Sequence, residues 1–161
     1  MRRKDRETSA EFAWAAFDKC NYAVVSVVDL EGEPYAVPFI VAREENHVYY
    51  HNFVHGKMYE VMRTNPRVCI TAVNIASVIP MSNDLCFCSA VLKGTAHLVE
   101  DPEEVRHAMW LICSKTSPDN LHNFKGSMPF SMPHLGVVRI DVDEITGKAN
   151  LPGISQDAVA D

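Results

Sequence analysis

The chain has 161 residues and a mass of 18.0 kDa, which is the size of one ordinary domain. Apolar residues make up 47% of the chain and charged residues 22%, a balance that excludes a disordered or fibrous protein. The formal net charge is −6. Because four cations lie at the start (Arg2, Arg3, Lys4 and Arg6), the rest is more acidic still, which argues against a protein that binds nucleic-acid phosphates. A short nucleic-acid-binding arm at the N-terminus is the minor alternative.

The cysteine pattern and the N-terminus bear on the cellular compartment. The five cysteines are an odd number without a C-x-x-C pair. The charged N-terminus lacks the apolar segment of a signal peptide, and no apolar run approaches the roughly 18 residues of a membrane span. The sequence therefore predicts a cytoplasmic protein with reduced thiols and no membrane partner.

Hydrophobic periodicity and turn residues divide the chain into three helices and six strands. Thr8-Ser9-Ala10-Glu11 has the form of a capping box before the first helix. Asp101 and Pro102 open the third helix, and Gly94 predicts a bulge in a long strand. The predicted helices span residues 10–20, 56–63 and 101–112, and the predicted strands span 22–28, 35–42, 47–51, 68–73, 85–99 and 135–142.

Hairpin-length connections between these strands predict a mainly β fold, an antiparallel barrel with helices outside it. Pro38 lies inside a predicted strand, where it can occupy only an edge, a bulge or an open position. No composition shift marks a domain boundary. We therefore predict a single domain over residues 1–150 and a loosely held C-terminal tail over residues 151–161.

The segment from His51 to Met58 joins a strand end to a helix start. Free backbone N–H groups at a helix N-terminus, together with a cation, favour an anion and above all a phosphate. Lys57 supplies the cation, and Gly56 allows a ligand to approach the backbone. His51 and His55 can donate hydrogen bonds. The alternative is an ordinary helix start with a solvated lysine.

Other potential ligands give weaker signals. Cys86 and Cys88 alternate on a strand and point to one face. With Cys69 or a histidine they could ligate zinc, but a lone strand pair favours ordinary core cysteines, and we predict no metal site. A Cys–His catalytic dyad stays an alternative that no spacing supports. The Met- and Phe-containing segment 124–132 is expected to pack on the core rather than form a cofactor lid. The histidines predicted to lie on the surface are His97, His107 and His122.

Six short motifs follow one another along residues 1–150. They are M-R-R-K-D-R at 1–6, P-Y-A-V-P at 34–38, V-Y-Y-H at 48–51 with G-K at 56–57, N-P-R-V-C at 65–69, F-C-S-A-V at 87–91 with Gly94, and I-T-G-K at 145–148. None of them is specific alone. In this order the chain resembles the Nim-type nitroimidazole-resistance proteins, which belong to the flavin-binding split-barrel superfamily together with pyridoxamine 5′-phosphate oxidase.

The resemblance implies a six-stranded antiparallel split β-barrel with flanking helices, which forms a homodimer with FMN at the interface. It places Val37, Pro38 and Phe39 along the isoalloxazine ring, with their backbone groups at its polar edge. Ser89 would approach the flavin ring, and Lys148 would lie near the site from the C-terminal side.

The resemblance also implies that His51, Gly56 and Lys57 hold the FMN phosphate, at the segment that the helix-start argument identifies. The chain departs from the family at several positions. Phe39 follows V-P where the family often has a more polar continuation, and Met58 replaces a second cation, which predicts a weaker grip on the phosphate. The strand at 35–42 lacks the Arg/Lys-rich pattern of pyridoxamine phosphate oxidases, which argues against vitamin B6 oxidase activity.

The implied function is an FMN-dependent oxidoreductase that passes electrons from a reduced nicotinamide or another donor to a small oxidant, such as a nitroaromatic. His51 is the candidate catalytic residue, because imidazole exchanges protons near neutral pH. A purely structural or phosphate-binding role is the alternative for His51. The alternatives for the whole chain are a non-catalytic flavin- or haem-binding carrier or sensor, and an interaction domain with a vestigial pocket.

Overall fold

The computed structural model describes residues 3–124 and 134–152. The strands are β1 (Glu7–Thr8), β2 (Ala23–Val28), β3 (Pro34–Phe39), β4 (Ala42–Glu44), β5 (His47–Phe53), β6 (Arg67–Val78), β7 (Leu85–Val99) and β8 (Leu135–Asn150). The helices are α1 (Ala10–Asp18), α2 (Lys57–Thr64) and α3 (Pro102–Thr116), and short 3-10 helices cover Lys4–Arg6 and Pro118–Asn123. No helix among these residues is long and apolar enough to cross a membrane.

The strands form one antiparallel sheet in the order β3-β2-β6-β7-β8-β5-β4, and β1 pairs with the far end of β8. The long strands β7 and β8 belong to both halves of the sheet. The C-terminal part of β8 pairs with β7 beside β6, and its N-terminal part also pairs with β5. Since β3 and β4 lie at the two ends of this order, the barrel is open between them. This is the predicted split-barrel class.

The strand register explains how the barrel is filled. A row of small residues crosses the sheet on its inner face: Ala23, Ala72, Ala90 and Gly147. The small side chains leave room for α1, which buries Phe17 in the barrel. α2 closes the barrel with the buried side chains of Met58, Val61 and Met62. On the other side of β5 and β8, α3 packs its apolar face over a second cluster that includes Tyr49 and Val137.

Local sequence signals account for the helix starts. Ser9, not Thr8, is the N-cap of α1, and its hydroxyl accepts a hydrogen bond of 3.2 Å from the Phe12 N–H. The capping-box prediction is therefore wrong by one residue. Asp101 caps α3 as predicted, because its carboxylate accepts a 3.0 Å hydrogen bond from the Glu104 N–H.

Three strand predictions change. The predicted strand over 35–42 ends at Phe39, and a separate β4 begins at Ala42. The segment expected to be a loop from Ile75 instead continues β6 to Val78, because it pairs with β7 after a register shift between Val73 and Ile75. β8 continues to Asn150 for the same reason, since β7 pairs along its whole length. With β1, the sheet has eight strands within the described residues, rather than the predicted six.

The predicted bulge at Gly94 is confirmed by a register shift between Lys93 and Gly94. A Cβ atom at Gly94 would overlap the Asp141 carbonyl oxygen, so the close approach requires glycine. Leu151, the first residue of the predicted tail, packs beside Phe12 and Cys88. The predictions for residues 125–132 and 153–161 lie outside the described residues.

Candidate functional site

The strand that carries Val37, Pro38 and Phe39 lies at an edge of the sheet. Among the described residues β3 pairs only with β2. An edge strand presents backbone N–H and C=O groups that have no partner in the sheet. This free edge lies at the opening of the barrel, so its polar groups are available to a ligand.

Side chains on β3 alternate between the core and the exterior. Tyr35, Val37 and Phe39 pack against the barrel core, whereas Pro38 is exposed. The Phe39 ring lies 4.4 Å, centroid to centroid, from the fully buried ring of Tyr50. The core-facing side chains therefore fix the strand, and the parts of it that a ligand can contact are the backbone edge and Pro38.

His51 follows Tyr50 on β5 and therefore points to the other face of that strand. Its ring is half-buried and makes no hydrogen bond within the described part of the chain. Burial lowers the pKa of His51 below its ordinary value of 6.5, because desolvation disfavours the charged imidazolium. The imidazole is neutral at neutral pH and can donate or accept one hydrogen bond at each nitrogen.

Gly56 and Lys57 form the start of α2, as predicted. Gly56 is the N-cap, and within residues 3–124 and 134–152 no side chain caps the helix. A Cβ atom at Gly56 would lie 3.2 Å from the Phe53 carbonyl oxygen, so the tight turn explains the glycine. The Lys57 ammonium lies 5.1 Å from the centre of the Tyr35 ring on β3 and has no carboxylate partner among the described residues. Met58, where a second cation would be expected, is buried in the core.

Asn52 is a residue that the sequence analysis missed. Its side-chain oxygen and nitrogen are both buried and have no hydrogen-bond partner among the residues that the structure describes. The side chain lies against Gly136 and Tyr59, since a Cβ atom at Gly136 would meet the Asn52 Oδ1 at 2.9 Å and the Tyr59 ring at 2.7 Å. Asn52 alternates with Val48 and Tyr50 on the inner face of β5. A polar residue at a core-facing strand position is the sequence signal that could have identified it as a candidate site residue.

These residues fit a phosphate-bearing ligand in two respects. A helix N-terminus and a lysine that have no side-chain partner in the described part of the chain suit an anion. A free strand edge suits the polar rim of a planar ring. The contacts Lys57–Tyr35 and Phe39–Tyr50 hold α2, β5 and β3 together. We call these three elements the first half-site, with the residues Val37, Pro38, Phe39, His51, Gly56 and Lys57. His51 belongs to it through its position on β5, since its side chain points to the face opposite Tyr50.

Ser89 and Lys148 lie elsewhere in the chain. They are directly paired across β7 and β8, and the Ser89 hydroxyl donates a 3.4 Å hydrogen bond to the Lys148 carbonyl oxygen. The Lys148 ammonium lies 5.4 Å from the centre of the Phe87 ring. We call this pair with Phe87 the second half-site.

The register separates the two half-sites. Pro38, Val24, Thr71 and Val91 align across β3, β2, β6 and β7. Three inter-strand steps put Pro38 about 14 Å from Val91 along the sheet, and Ser89 lies two residues further along β7. The predicted residues therefore form two groups in one chain rather than one pocket.

The other predicted ligands lie apart from both half-sites. The five cysteines are unpaired, and Cys86 and Cys88 are buried in the core, as expected of packing residues. The described residues contain no group of three or more His, Cys, Asp or Glu side chains placed to hold a metal ion. The predicted surface positions of three histidines are confirmed: His97, His107 and His122.

Comparisons with known proteins agree with this architecture. A protein from Bacteroides thetaiotaomicron, named for 5-nitroimidazole antibiotic resistance, is 25% identical over 87% of this chain and 83% of that one, with a TM-score of 0.70. A FAD- and haem-binding protein from Mycobacterium smegmatis is 15% identical and reaches a TM-score of 0.78 over 96% and 79% of the chains. A flavocytochrome from Azotobacter vinelandii is 21% identical, with a TM-score of 0.69 over 93% and 72%. No curated protein matches the chain.

The family model described as pyridoxamine 5′-phosphate oxidase matches residues 9–149, which is nearly the whole chain. Solved structures similar to this one come from proteins described as binding FAD or both FAD and haem. The chain therefore belongs to the pyridoxamine 5′-phosphate oxidase family, and its fold is the split barrel.

Proposed function

We propose that this protein is a cytoplasmic FMN-dependent oxidoreductase that acts as a homodimer, with each FMN bound between the first half-site of one copy and the second half-site of the other. The observation that carries the proposal is the separation of the half-sites along the sheet. A two-fold symmetric dimer brings each surface against the complementary surface of its partner, so it would complete two sites at once.

The outer face of the sheet between the half-sites supports this arrangement. Val24, Thr71, Val91 and Thr146 align across four strands on the face opposite the alanine row. Val73, in the next row, is 46% exposed. A solvated face of an antiparallel sheet is normally polar, whereas an uncharged patch of β-branched residues suits burial in an interface.

Each residue of the first half-site has a proposed role that follows from its position. Lys57 and the first N–H groups of α2 would hold the phosphate, since they provide a cation and free donors. Gly56 keeps the turn before the helix tight enough for these donors to converge. The β3 edge would orient the ring through backbone groups, while Val37 and Phe39 anchor that edge to the core.

His51 is the candidate proton donor or acceptor beside the ring. Because burial favours its neutral form, it could give a hydrogen bond from one nitrogen and accept one at the other. Ser89 and Lys148 would close the site from the partner copy and exclude water. When bound, FMN supplies the hydride and electron chemistry that side chains lack. The proposed substrates are a reduced nicotinamide or similar donor and a small oxidant such as a nitroaromatic.

A complementation experiment tests the shared site. K57Q removes a charge from the first half-site, and K148E reverses one in the second. Each variant alone should bind FMN weakly. When the two variants are mixed, unfolded and refolded together, about half of the dimers should be heterodimers. Each heterodimer has one intact site and one site that carries both substitutions. Tight FMN binding should therefore return in roughly one quarter of all sites. FMN binding that is not restored by mixing, or a monomer by sedimentation with one FMN per chain, would contradict the shared site.

A second candidate is a flavin- or haem-binding carrier without turnover. The fold similarity to the FAD- and haem-binding protein of M. smegmatis favours it. An absorption spectrum before and after addition of FMN or haem identifies the ligand. Steady-state assays with excess reductant then separate the two functions, because an enzyme cycles and a carrier is reduced once.

A further inference from the structure

The N-terminal segment lies across the ends of β7 and β8. β1 pairs with β8, with Glu7 opposite Lys148. Arg6 forms an ion pair with Asp84, and its guanidinium lies 6.0 Å from the centre of the Phe87 ring. The Arg6 side chain is only 17% exposed, so it fixes the segment to the β7 end of the second half-site.

A cavity of about 430 Å³ opens beside this segment, lined by Arg3, Asp5, Arg6 and residues 149–152. Its volume falls within the roughly 300–1,000 Å³ of small-molecule pockets. The cavity adjoins the second half-site directly, because Asn150 pairs with Phe87, and Lys148 with Ser89, on the same two strands.

Arg3 presents a guanidinium fork at this cavity. Its Nε donates to the Asp5 Oδ1 at 2.8 Å, and its Nη2 donates to the Oδ2 at 2.5 Å. This bidentate geometry is the one with which arginine binds phosphate. The pair is exposed, at 48% for Arg3 and 59% for Asp5, and exposed ion pairs contribute little to stability. An incoming oxyanion can therefore take the place of Asp5 at small cost.

The local charge favours an anion. The charged residues that line the cavity are two cations, Arg3 and Arg6, and one carboxylate, Asp5. The excess is one positive charge in a chain whose net charge is −6. Arg6 and Asp84 neutralise each other as a structural pair, so Arg3 is the lining cation that can exchange its exposed partner, Asp5, for a ligand.

We propose that this cavity binds the phosphate of the substrate that exchanges electrons with the flavin, with Arg3 as the binding group and Asp5 as its occupant in the free protein. The ligand class is a phosphate-bearing dinucleotide, the form in which reduced nicotinamide is carried. The proposal rests on the proposed function, because it is the second half-site that puts the flavin ring beside the cavity.

The test uses FMN-saturated protein, so that the first half-site is filled, and calorimetric titration with ADP as the probe. Adenosine, which lacks phosphates, is the control ligand. We expect ADP to bind and adenosine not to bind. R3Q should weaken ADP binding by roughly 10- to 100-fold, because it removes a charge-assisted hydrogen-bond pair. D5N should tighten binding, because it removes the competing carboxylate.

R106Q is the matched control variant, since Arg106 is 50% exposed and paired with Glu103 on α3. It should leave ADP binding unchanged. Equal binding of ADP and adenosine, equal affinities of R3Q and R106Q, or weaker binding by D5N would overturn the proposal. The FMN content of every variant is measured by absorbance. A change in ADP binding at unchanged FMN content then concerns the cavity alone and not the proposed FMN site. A wild-type protein that takes up no FMN contradicts the function itself.

Discussion

Gly147 provides a sensitive test of how the N-terminal segment is packed. It lies on β8 opposite Thr8 of β1 and under α1. A Cβ atom at this position would overlap the Thr8 Oγ1 and would lie 2.7 Å from the Ala13 Cβ and 3.2 Å from the Ala13 Cα. Both neighbours are held by regular structure, Ala13 in α1 and Thr8 in the β1–β8 pair. The added methyl group therefore has no room.

We expect Gly147→Ala to cost about 3 kcal/mol of unfolding free energy, the upper part of the usual range for overpacking. For a domain of this size that corresponds to a fall in Tm of roughly 6–12 °C. Urea unfolding followed by circular dichroism measures the free energy, and a thermal scan gives Tm. A loss below about 0.5 kcal/mol, the range of ordinary surface substitutions, would refute the packing argument.

A second substitution separates steric overlap from other causes. The Thr8 hydroxyl is buried and has no hydrogen-bond partner in the described part of the chain, so Thr8→Ala alone should change stability by less than about 0.5 kcal/mol. Combined with Gly147→Ala, Thr8→Ala should restore about 1–2 kcal/mol of the lost unfolding free energy, because substitutions of neighbouring residues are coupled. Strict additivity would show that the two residues do not touch. Gly32→Ala is the control, since Gly32 has a φ of +89° and a Cβ atom added there would meet no described atom within 4 Å, so Thr8→Ala should not rescue it.

Three further predictions concern the site and the core. K57Q should weaken FMN binding by roughly 10- to 100-fold, the loss of one charged hydrogen-bonding group, whereas K19Q should not, as measured by fluorescence titration. The native pKa of His51 is lowered below 6.5, so its contribution to stability is present above pH 6.5 and is lost as pH falls through the native pKa. H51Q should therefore flatten the decrease in Tm between pH 7.5 and about pH 5, whereas H122Q, at an exposed histidine, should not. Cys88 is fully buried with a raised pKa, so in the native protein it should not react with a thiol reagent, and mass mapping after labelling would show any exception.

Much of the fold could be predicted from the sequence, because local chemistry and tertiary structure agree there. Asp101 and Pro102 specify a helix start that nothing opposes, and Gly94 marks a close approach that no other residue permits. The prediction of a loop after Val73 is wrong. Turn-forming residues follow this segment closely, so its sequence does not indicate that β6 continues to Val78. Cross-strand pairing with β7, a non-local effect, decides its conformation.

The site could be predicted only in part. The spacing of Gly56 and Lys57 identified a helix N-terminus, which is a local feature. The separation of Ser89 from Pro38 depends on the order of strands in the sheet, which no local pattern contains. A buried amide at Asn52 is predictable in principle, since Asn52 alternates with Val48 and Tyr50. That it has no hydrogen-bond partner among the described residues depends on the packing of Gly136 and Tyr59.

The two prolines of β3 determine which backbone groups lie on the open edge of the barrel, and this bears on where a second copy could bind. Pro34 and Pro38 lie opposite Val28 and Val24 of β2. Since proline has no N–H to donate, it is tolerated where that side of the strand faces away from the ladder. We therefore expect residues 34, 36 and 38 to direct their carbonyl groups to the free edge, with Ala36 contributing an N–H donor between them. An edge with so few donors is a poor template for another strand. In the dimer that we propose, the second copy attaches instead through the uncharged sheet face around Val24 and Val91. That arrangement leaves the carbonyl-rich edge of β3 free for the hydrogen-bond donors of a ligand.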